Sequence, residues 1–322
     1  MSIFRTVRRW VGVTLLWLTG VAYAADFSVI YYQQGSQQVV QGRQLSEGVY
    51  QYNSPEFSPD SKKSVTLSTL EWPPYIGATA CRQGWVMQAT VAMLASKGYR
   101  IKVQFRPWMR AVLEAETGQS DILFPEYFIE PEAPSDIHPG TSRLEHLALS
   151  SPIPGGPVAL LKRRSDPFEF DGEVTSLIGK KLGVVRGYQN TPELDALIDK
   201  KALTTLEVKD DLQNAQILYG NRVELIVGDP SVIFYSVKAA ALDAGMKQDM
   251  LSQLQVVEPA LKNNYLYYAI SRRSRIREAL LADINAAIKD FSLSGELAAL
   301  IERTHESCGT QGWSMPLPLK IQ

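Results

Sequence analysis

The sequence predicts an α/β protein of two lobes, each built on an open sheet, the two joined by two crossing strands. Three observations carry that expectation. From Val65 onward, short apolar runs alternate with segments of helical period, which argues parallel strands linked by helical crossovers. The alternation occurs twice, in two similar halves, with no repeat of short fixed period. At 322 residues, 45% apolar and 21% charged, the chain has ordinary globular composition and enough length for two cores.

The first residues are set apart from that pattern. Arg5, Arg8 and Arg9 precede an apolar run, Trp10 to Val21, that ends in Ala22-Tyr23-Ala24. This is the layout of a secretory signal peptide (residues 1–24) cut before Ala25. The run falls short of the ~20 residues a membrane-spanning helix needs. Without the leader, 30 basic residues face 34 acidic ones, a net charge near −4. That balance gives no reason to expect nucleic acid or an anionic membrane as partner. Residues 25–64 form a polar, Gln-rich extension with Tyr-rich patches at Val29–Tyr32 and Val49–Tyr52. They read as a short hairpin or a loosely attached arm.

The β–α series then runs in order. Val65 to Leu70 is a strand that Pro73 and Pro74 end, because proline cannot donate to a ladder. Trp85 to Lys97 is a helix with Val86, Ala89, Met93 and Leu94 on one face and Gly98 as its stop. Arg100 to Phe105 is a strand, Met109 to Glu116 a helix closed by Gly118, and Asp121 to Phe124 a third strand. An acidic, Pro-rich loop follows, from Glu126 to Ser142. Val158 to Lys162 reads as the first crossing between lobes. The second series is strand Leu182–Val185, helix Thr191–Lys201, strand Thr205–Val208, helix Leu212–Tyr219, strand Leu225–Val227 and helix Ser231–Ala241. Tyr265 to Ser271 would cross back. Helices Ile276–Phe291 and Gly295–Thr304 would then dock on the first lobe. Lobe 1 is thus residues 65–161 and 271–322, and lobe 2 residues 162–270.

Cys81 and Cys308 both lie in the exported part, so they read as one disulfide, with two buried thiols as the alternative. Pairing requires the C-terminus to return beside lobe 1. His138, His146 and His305 stand far apart with no ligand spacing, so no metal is expected. The sequence has no phosphate loop, dinucleotide fingerprint or Gly-x-Ser-x-Gly elbow, so no cofactor is expected either.

Two segments carry a resemblance. Arg143 to Pro152 is an Arg-x6-Ser-x-Pro stretch, and Gly220 to Asp229 is a Gly-x-Arg run leading to a strand-ending Asp. Together they resemble the family 3 solute-binding proteins, periplasmic receptors for amino acids and related small polar molecules. The resemblance implies a type II periplasmic binding fold. Trp108-Met109-Arg110-Ala111 is similar to an element of a subgroup encoded without an obvious transporter.

Open β–α sheets bind ligands at the carboxyl ends of their strands, which selects the loops to read. Trp72 and Tyr75 form an aromatic lip that could hold a ligand or simply pack at a lobe edge. Trp108 and Arg110 follow the second strand; Arg110 could bind an anion or stack on Trp108 and brace the lobe. Glu126, with Tyr127, could supply selectivity by position alone. Arg143 offers a donor fork that suits a carboxylate, and the resemblance gives it the ligand's α-carboxylate; a solvated loop arginine is the other reading. Gly187, Asn190 and Thr191 lead into a helix, where free N–H groups make an anion site or take an ordinary cap. Asp229 would accept from the ligand's α-amino group, or cap its helix. The expectation is a monomeric periplasmic receptor, not an enzyme, whose closure over a small ligand is read by a permease or a sensor. The rival is an enzyme on the same fold, similar to cyclohexadienyl dehydratases.

Overall fold

The computed structural model describes residues 27–59 and 62–309; the expected leader lies outside them. Four strands precede the first one expected. β1 (Val29–Gln33) and β2 (Ser36–Val40) pair as one hairpin, β3 (Gly42–Ser46) and β4 (Val49–Asn53) as a second. Neither hangs loosely. In β1 the side chains alternate, so Val29 and Tyr31 are buried while Ile30 and Tyr32 face out. β4 buries Tyr50 and Tyr52 and extends the main sheet of the first lobe. The polar composition of this stretch reflects strands with one wet face.

Lobe 1 continues with β5 (Ser64–Thr69), α1 (Trp85–Ala95), β6 (Arg100–Phe105), α2 (Trp108–Glu116), β7 (Ile122–Glu126) and β8 (Leu147–Leu149). Lobe 2 holds β9 (Pro157–Arg163), β10 (Lys181–Val185), α3 (Pro192–Asp199), β11 (Thr204–Val208), α4 (Asp211–Tyr219), β12 (Leu225–Gly228), α5 (Pro230–Ala239), α6 (Ala244–Gln253) and β13 (Leu254–Asn263). The chain then returns to lobe 1 through β14 (Tyr267–Ser271), α7 (Arg277–Leu293) and α8 (Glu296–Cys308). The first sheet runs β3-β4-β6-β5-β7-β14-β8 and the second β11-β10-β12-β9-β13. The first has a parallel centre, β6-β5-β7, flanked by antiparallel strands; in the second the parallel strands β11-β10-β12 form one side and the antiparallel β9 and β13 the other. α1 is buried along its whole length because it lies between the sheet, the β1–β2 hairpin and the helix pair α7–α8.

The structure moves the crossing. Val158 to Lys162, expected to pass between lobes, lies wholly inside the second sheet, between β12 and β13. The passage occurs just before it, where Ile153 bridges Leu266 through two backbone hydrogen bonds of 2.8 and 3.0 Å. Pro152, Pro154, Gly155 and Gly156 interrupt regular pairing there, so the chain can bend between the sheets. On the return, Asn264 N–H donates to the Gly156 carbonyl at 2.9 Å.

Cys81 and Cys308 are joined, with Cα atoms 5.8 Å apart and 227 positions between them in sequence. The bond ties the end of α8 to the turn before α1. Its loss constrains the unfolded chain less, and the double variant Cys81→Ser/Cys308→Ser is expected to lose about 2–4 kcal/mol. For a chain of this size that is a fall in Tm of roughly 3–7 °C. Thermal melts of oxidised wild type and the double variant check it; equal midpoints would show that packing alone holds α8.

A closed cleft between the lobes

The loops after the strand ends meet where the lobes face each other. After β5, Trp72 exchanges backbone hydrogen bonds with Ile76, a tight turn that turns Tyr75 back onto Trp72. Their rings stack at 4.5 Å. The turn requires Gly84, since a Cβ there would lie 2.2 Å from the Tyr75 carbonyl oxygen. Tyr127, following β7, meets Trp72 edge-on at 5.8 Å. Trp108 opens α2 and meets Tyr188 of lobe 2 edge-on at 6.0 Å. Trp72, Trp108, Glu126, Tyr127 and Tyr188 line one shared pocket.

Three hydrogen bonds hold the lobes together across this pocket. Tyr75 Oη donates to Asp229 Oδ2 at 2.9 Å. Trp108 Nε1 donates to the Gly187 carbonyl at 3.0 Å, and Arg143 Nη2 to the same oxygen at 3.3 Å. The described structure is therefore a closed one. Asp229 has two tasks, because its Oδ1 caps α5 by accepting from Ser231 and Val232 N–H while Oδ2 reaches across.

Arg143 is fully buried, and its surroundings differ from those the sequence suggested. Three carboxylates surround it: Glu116 at 3.8 Å, Glu126 at 3.7 Å and Asp136 at 3.1 Å. The protein's own acids thus face the donor fork expected for a ligand carboxylate. The loop before α3 shows the same substitution. The Asn190 backbone and side chain donate to Asp195, and Thr191 caps α3 by accepting from Leu194 N–H, so these groups are occupied internally. Gly187 contributes its carbonyl oxygen rather than its N–H.

Arg110 does not belong to the cleft. It is half exposed and pairs with Glu114 at 2.9 Å, one helical turn on, because α2 points that face of its first turn to solvent. The histidines also need correction. His138 and His146 are brought together by the acidic loop, with ring centroids 4.2 Å apart, and their ligand atoms lie within 4.8 Å of Glu116. Thr141 Oγ1 already bonds His146 Nε2, and Glu116 already faces Arg143, so this group clasps the loop. Sequence reasoning passed over Glu116, Tyr188 and Asp211. Asp211 follows β11, so the strand-end rule that selected Asp229 would have found it.

The cleft's carboxyls are held unusually protonated. Burial pushes Glu126 up to about 7, against Arg143 and the Tyr127 N–H, which lower it, and with Glu116, which adds to the rise. Burial likewise lifts Asp211 to about 7, with Tyr188 opposing and Asp229 and Asp210 adding, and Asp229 to about 6 against Tyr75, Ser231 and Val232. Tyr127, which feels Asp229, Asp211 and Glu126, is raised well above its ordinary value, first by burial. A carboxyl with a raised folded pKa contributes stability that is complete below its unfolded pKa and is lost as pH rises through the folded one. The window here is about pH 4 to 7. Glu114 has the opposite sign: burial raises it, but Ser68, Arg110 and Arg106 outweigh that and hold it low, so its contribution is lost in acid. The ligand-free protein is expected to be most stable near pH 5, by a few kcal/mol over pH 8. Urea unfolding at both pH values checks this; a midpoint that climbs from pH 5 to pH 8 contradicts it.

No protein-family model and no curated protein matches the sequence. Solved structures do. The GluR0 ligand-binding core from Nostoc punctiforme, in complex with L-glutamate, superposes with a TM-score of 0.56 at 14% identity, covering 74% of this chain and 98% of its own. A mutant of ArgBP from T. maritima gives 0.59 at 15% identity, covering 76% and 96%. A histidine kinase sensor domain with similarity to periplasmic binding proteins gives 0.60 at 15% identity, covering 76% and 97%. The chain has the type II periplasmic binding fold. That fold places the pocket at the topological position where open α/β sheets take ligands, outside the strands' carboxyl ends. Among the described residues no helix is long and apolar enough to cross a membrane.

Proposed function

We propose that this protein is an exported solute receptor that captures a small polar molecule, an amino acid or a relative of one, between its lobes. The observation that carries the reading is the cleft itself. Aromatic rings from both lobes and the buried Glu126 carboxyl line one pocket, and hydrogen bonds from Tyr75, Trp108 and Arg143 join the lobes beside it. Such a device works by binding energy alone: a ligand with higher affinity for the closed form shifts the open–closed balance toward it. The bend at Ile153–Gly156 and Asn264–Leu266 supplies the hinge. A permease or a membrane sensor would read the closed form, with the mature chain acting as a periplasmic monomer.

A thermal-shift screen over amino acids, small organic acids and amines tests it. A true ligand at a hundred times its Kd adds about 2.7 kcal/mol to the unfolding free energy. The gain is expected to vanish in Trp72→Ala and Tyr127→Ala. If a hit stabilises both variants as well as wild type, it binds elsewhere.

One observation favours the enzymatic reading as well. Glu126 is buried in the pocket and pushed up to about 7, so it can carry a proton at neutral pH, as a general acid must. Turnover of prephenate or arogenate by purified protein, lost in Glu126→Gln, would support a dehydratase; no turnover leaves the receptor.

A further inference from the structure

We propose that the cleft takes an organic cation, an amine without a free carboxylate, which reaches it along an acidic groove between the lobes. The proposal rests on reading the cleft as a ligand site and names what that site accepts.

Three independent features converge on a cation. The first is that the protein's own carboxylates already face the places suited to an anion. Glu116, Glu126 and Asp136 surround Arg143 at 3.1–3.8 Å, and Asp195 takes both donors that Asn190 offers before α3. A zwitterion arriving here would bring its carboxylate beside Glu126 and meet a guanidinium whose charge three carboxylates already face, although its Nε and Nη1 make no hydrogen bond.

The second feature is the pocket wall. Trp72, Trp108, Tyr127 and Tyr188 surround the space, and aromatic faces attract cations through their quadrupole. Glu126 lines the same space, 97% buried, and its Oε2 faces Arg143 Nη1 at 3.7 Å but has no hydrogen-bond partner among the described residues. Tyr127 Oη, also buried and without a hydrogen-bond partner, feels the charges of Asp229, Asp211 and Glu126. Asp211 Oδ1 is buried and unbonded too, while its Oδ2 accepts from Tyr188. An ammonium group has three donors and no acceptor, which suits Glu126 Oε2 and Tyr127 Oη at the pocket wall, with Asp211 behind Tyr188. Their raised proton affinity agrees: without a ligand, protons are the cations available to them.

The third feature is the approach. A groove of about 1,340 Å³, its open mouth included, shares Tyr188 and Gln189 with the pocket. Glu130, Glu132 and Asp136 of the lobe 1 loop line one side, and Asp195, Asp199 and Glu207 of lobe 2 the other. Arg186 is the one basic residue in that lining, and Glu207 holds it at 3.2 Å. Lys262 pairs with Glu130 and Arg143 with Asp136, which still leaves the groove acidic. A cleft lined by one sign of charge focuses the field and steers the opposite charge inward.

Isothermal titration at pH 8 with matched pairs tests the assignment: agmatine against arginine, putrescine against ornithine, tyramine against tyrosine, with glutamate as the anionic control. In at least one pair the amine is expected to bind tenfold or more tightly than its amino acid. Glu126→Gln and Asp229→Asn are each expected to weaken that amine by roughly tenfold or more. Unfolding of each variant without ligand verifies that it is folded. If amino acids bind as tightly as their amines, or if glutamate binds, the cation assignment fails while the receptor stands. Should none of the seven compounds give heat or a thermal shift, the cation assignment fails, and the receptor reading fails only if the wider screen is silent too.

Discussion

Replacing Arg143 by methionine is expected to lower the unfolding free energy by about 3–5 kcal/mol, the usual cost of leaving buried charges without their partner. The side chain is wholly buried, and Glu116 and Glu126 beside it are buried as well. Removing the guanidinium leaves two carboxylates in a desolvated site, with Asp136 as a more exposed third. The loss should depend on pH, with a sign that follows from Glu126. Arg143 lowers the Glu126 carboxyl, so the variant's Glu126 takes up a proton more readily, and protonation removes part of the repulsion. Arg143→Met is therefore expected to cost more at pH 8 than at pH 5. Urea titrations of wild type and variant at the two pH values measure it. An arginine kept free to grip a ligand would behave differently: its removal would leave the ligand-free stability nearly unchanged.

This residue shows where sequence reading reaches its limit. Arg143 was legible as important from its place before Ser150 and Pro152, and the structure does put it at the lobe interface. What the sequence could not display is the company it keeps. Glu116 ends a helix 27 positions earlier, Glu126 ends a strand, and Asp136 lies on the acidic loop; only the fold assembles them. The two sheets were legible because Ile101, Val103, Leu225 and Ile226 belong to short buried strands bounded by breakers. β13 was not, since an edge strand with half-exposed side chains and an irregular register between Val257 and Lys262 carries no period to read. β9 is legible as a strand but not as a member of the second sheet, because an apolar run marks a strand as central without saying in which sheet. Asp229 was legible in position, and the contact that gives it meaning comes from Tyr75, 154 residues away.

Gly156→Ala is expected to hold the lobes open and weaken ligand binding on the order of a hundredfold. In the closed structure a Cβ at this position would lie 2.1 Å from Tyr75 Oη and 2.5 Å from Asp229 Oδ2. Both atoms belong to one of the three hydrogen bonds that join the lobes, so the methyl group strikes the latch itself. The backbone at Gly156 is not in the left-handed region, so alanine adds no strain of its own, and separating the lobes removes the clash with Tyr75. The substitution therefore acts on the open–closed balance, and within lobe 2 it asks only that Asp229 Oδ2, the end of a side chain, turn aside. If it reduces the closed fraction to about one part in a hundred, the apparent affinity falls by the same factor. Small-angle scattering should show a larger radius of gyration for the variant and little compaction on adding ligand, while its melting temperature without ligand stays near that of wild type. The companion change Tyr75→Phe removes the oxygen that the methyl meets, leaving Tyr75 Cζ at 3.4 Å, an ordinary contact. The double variant should then bind about as well as Tyr75→Phe alone, because Asp229 can rotate Oδ2 aside once its partner is gone. Failure of that rescue, with both lobes folded, would place the effect of Gly156 in the hinge backbone rather than in the latch above it.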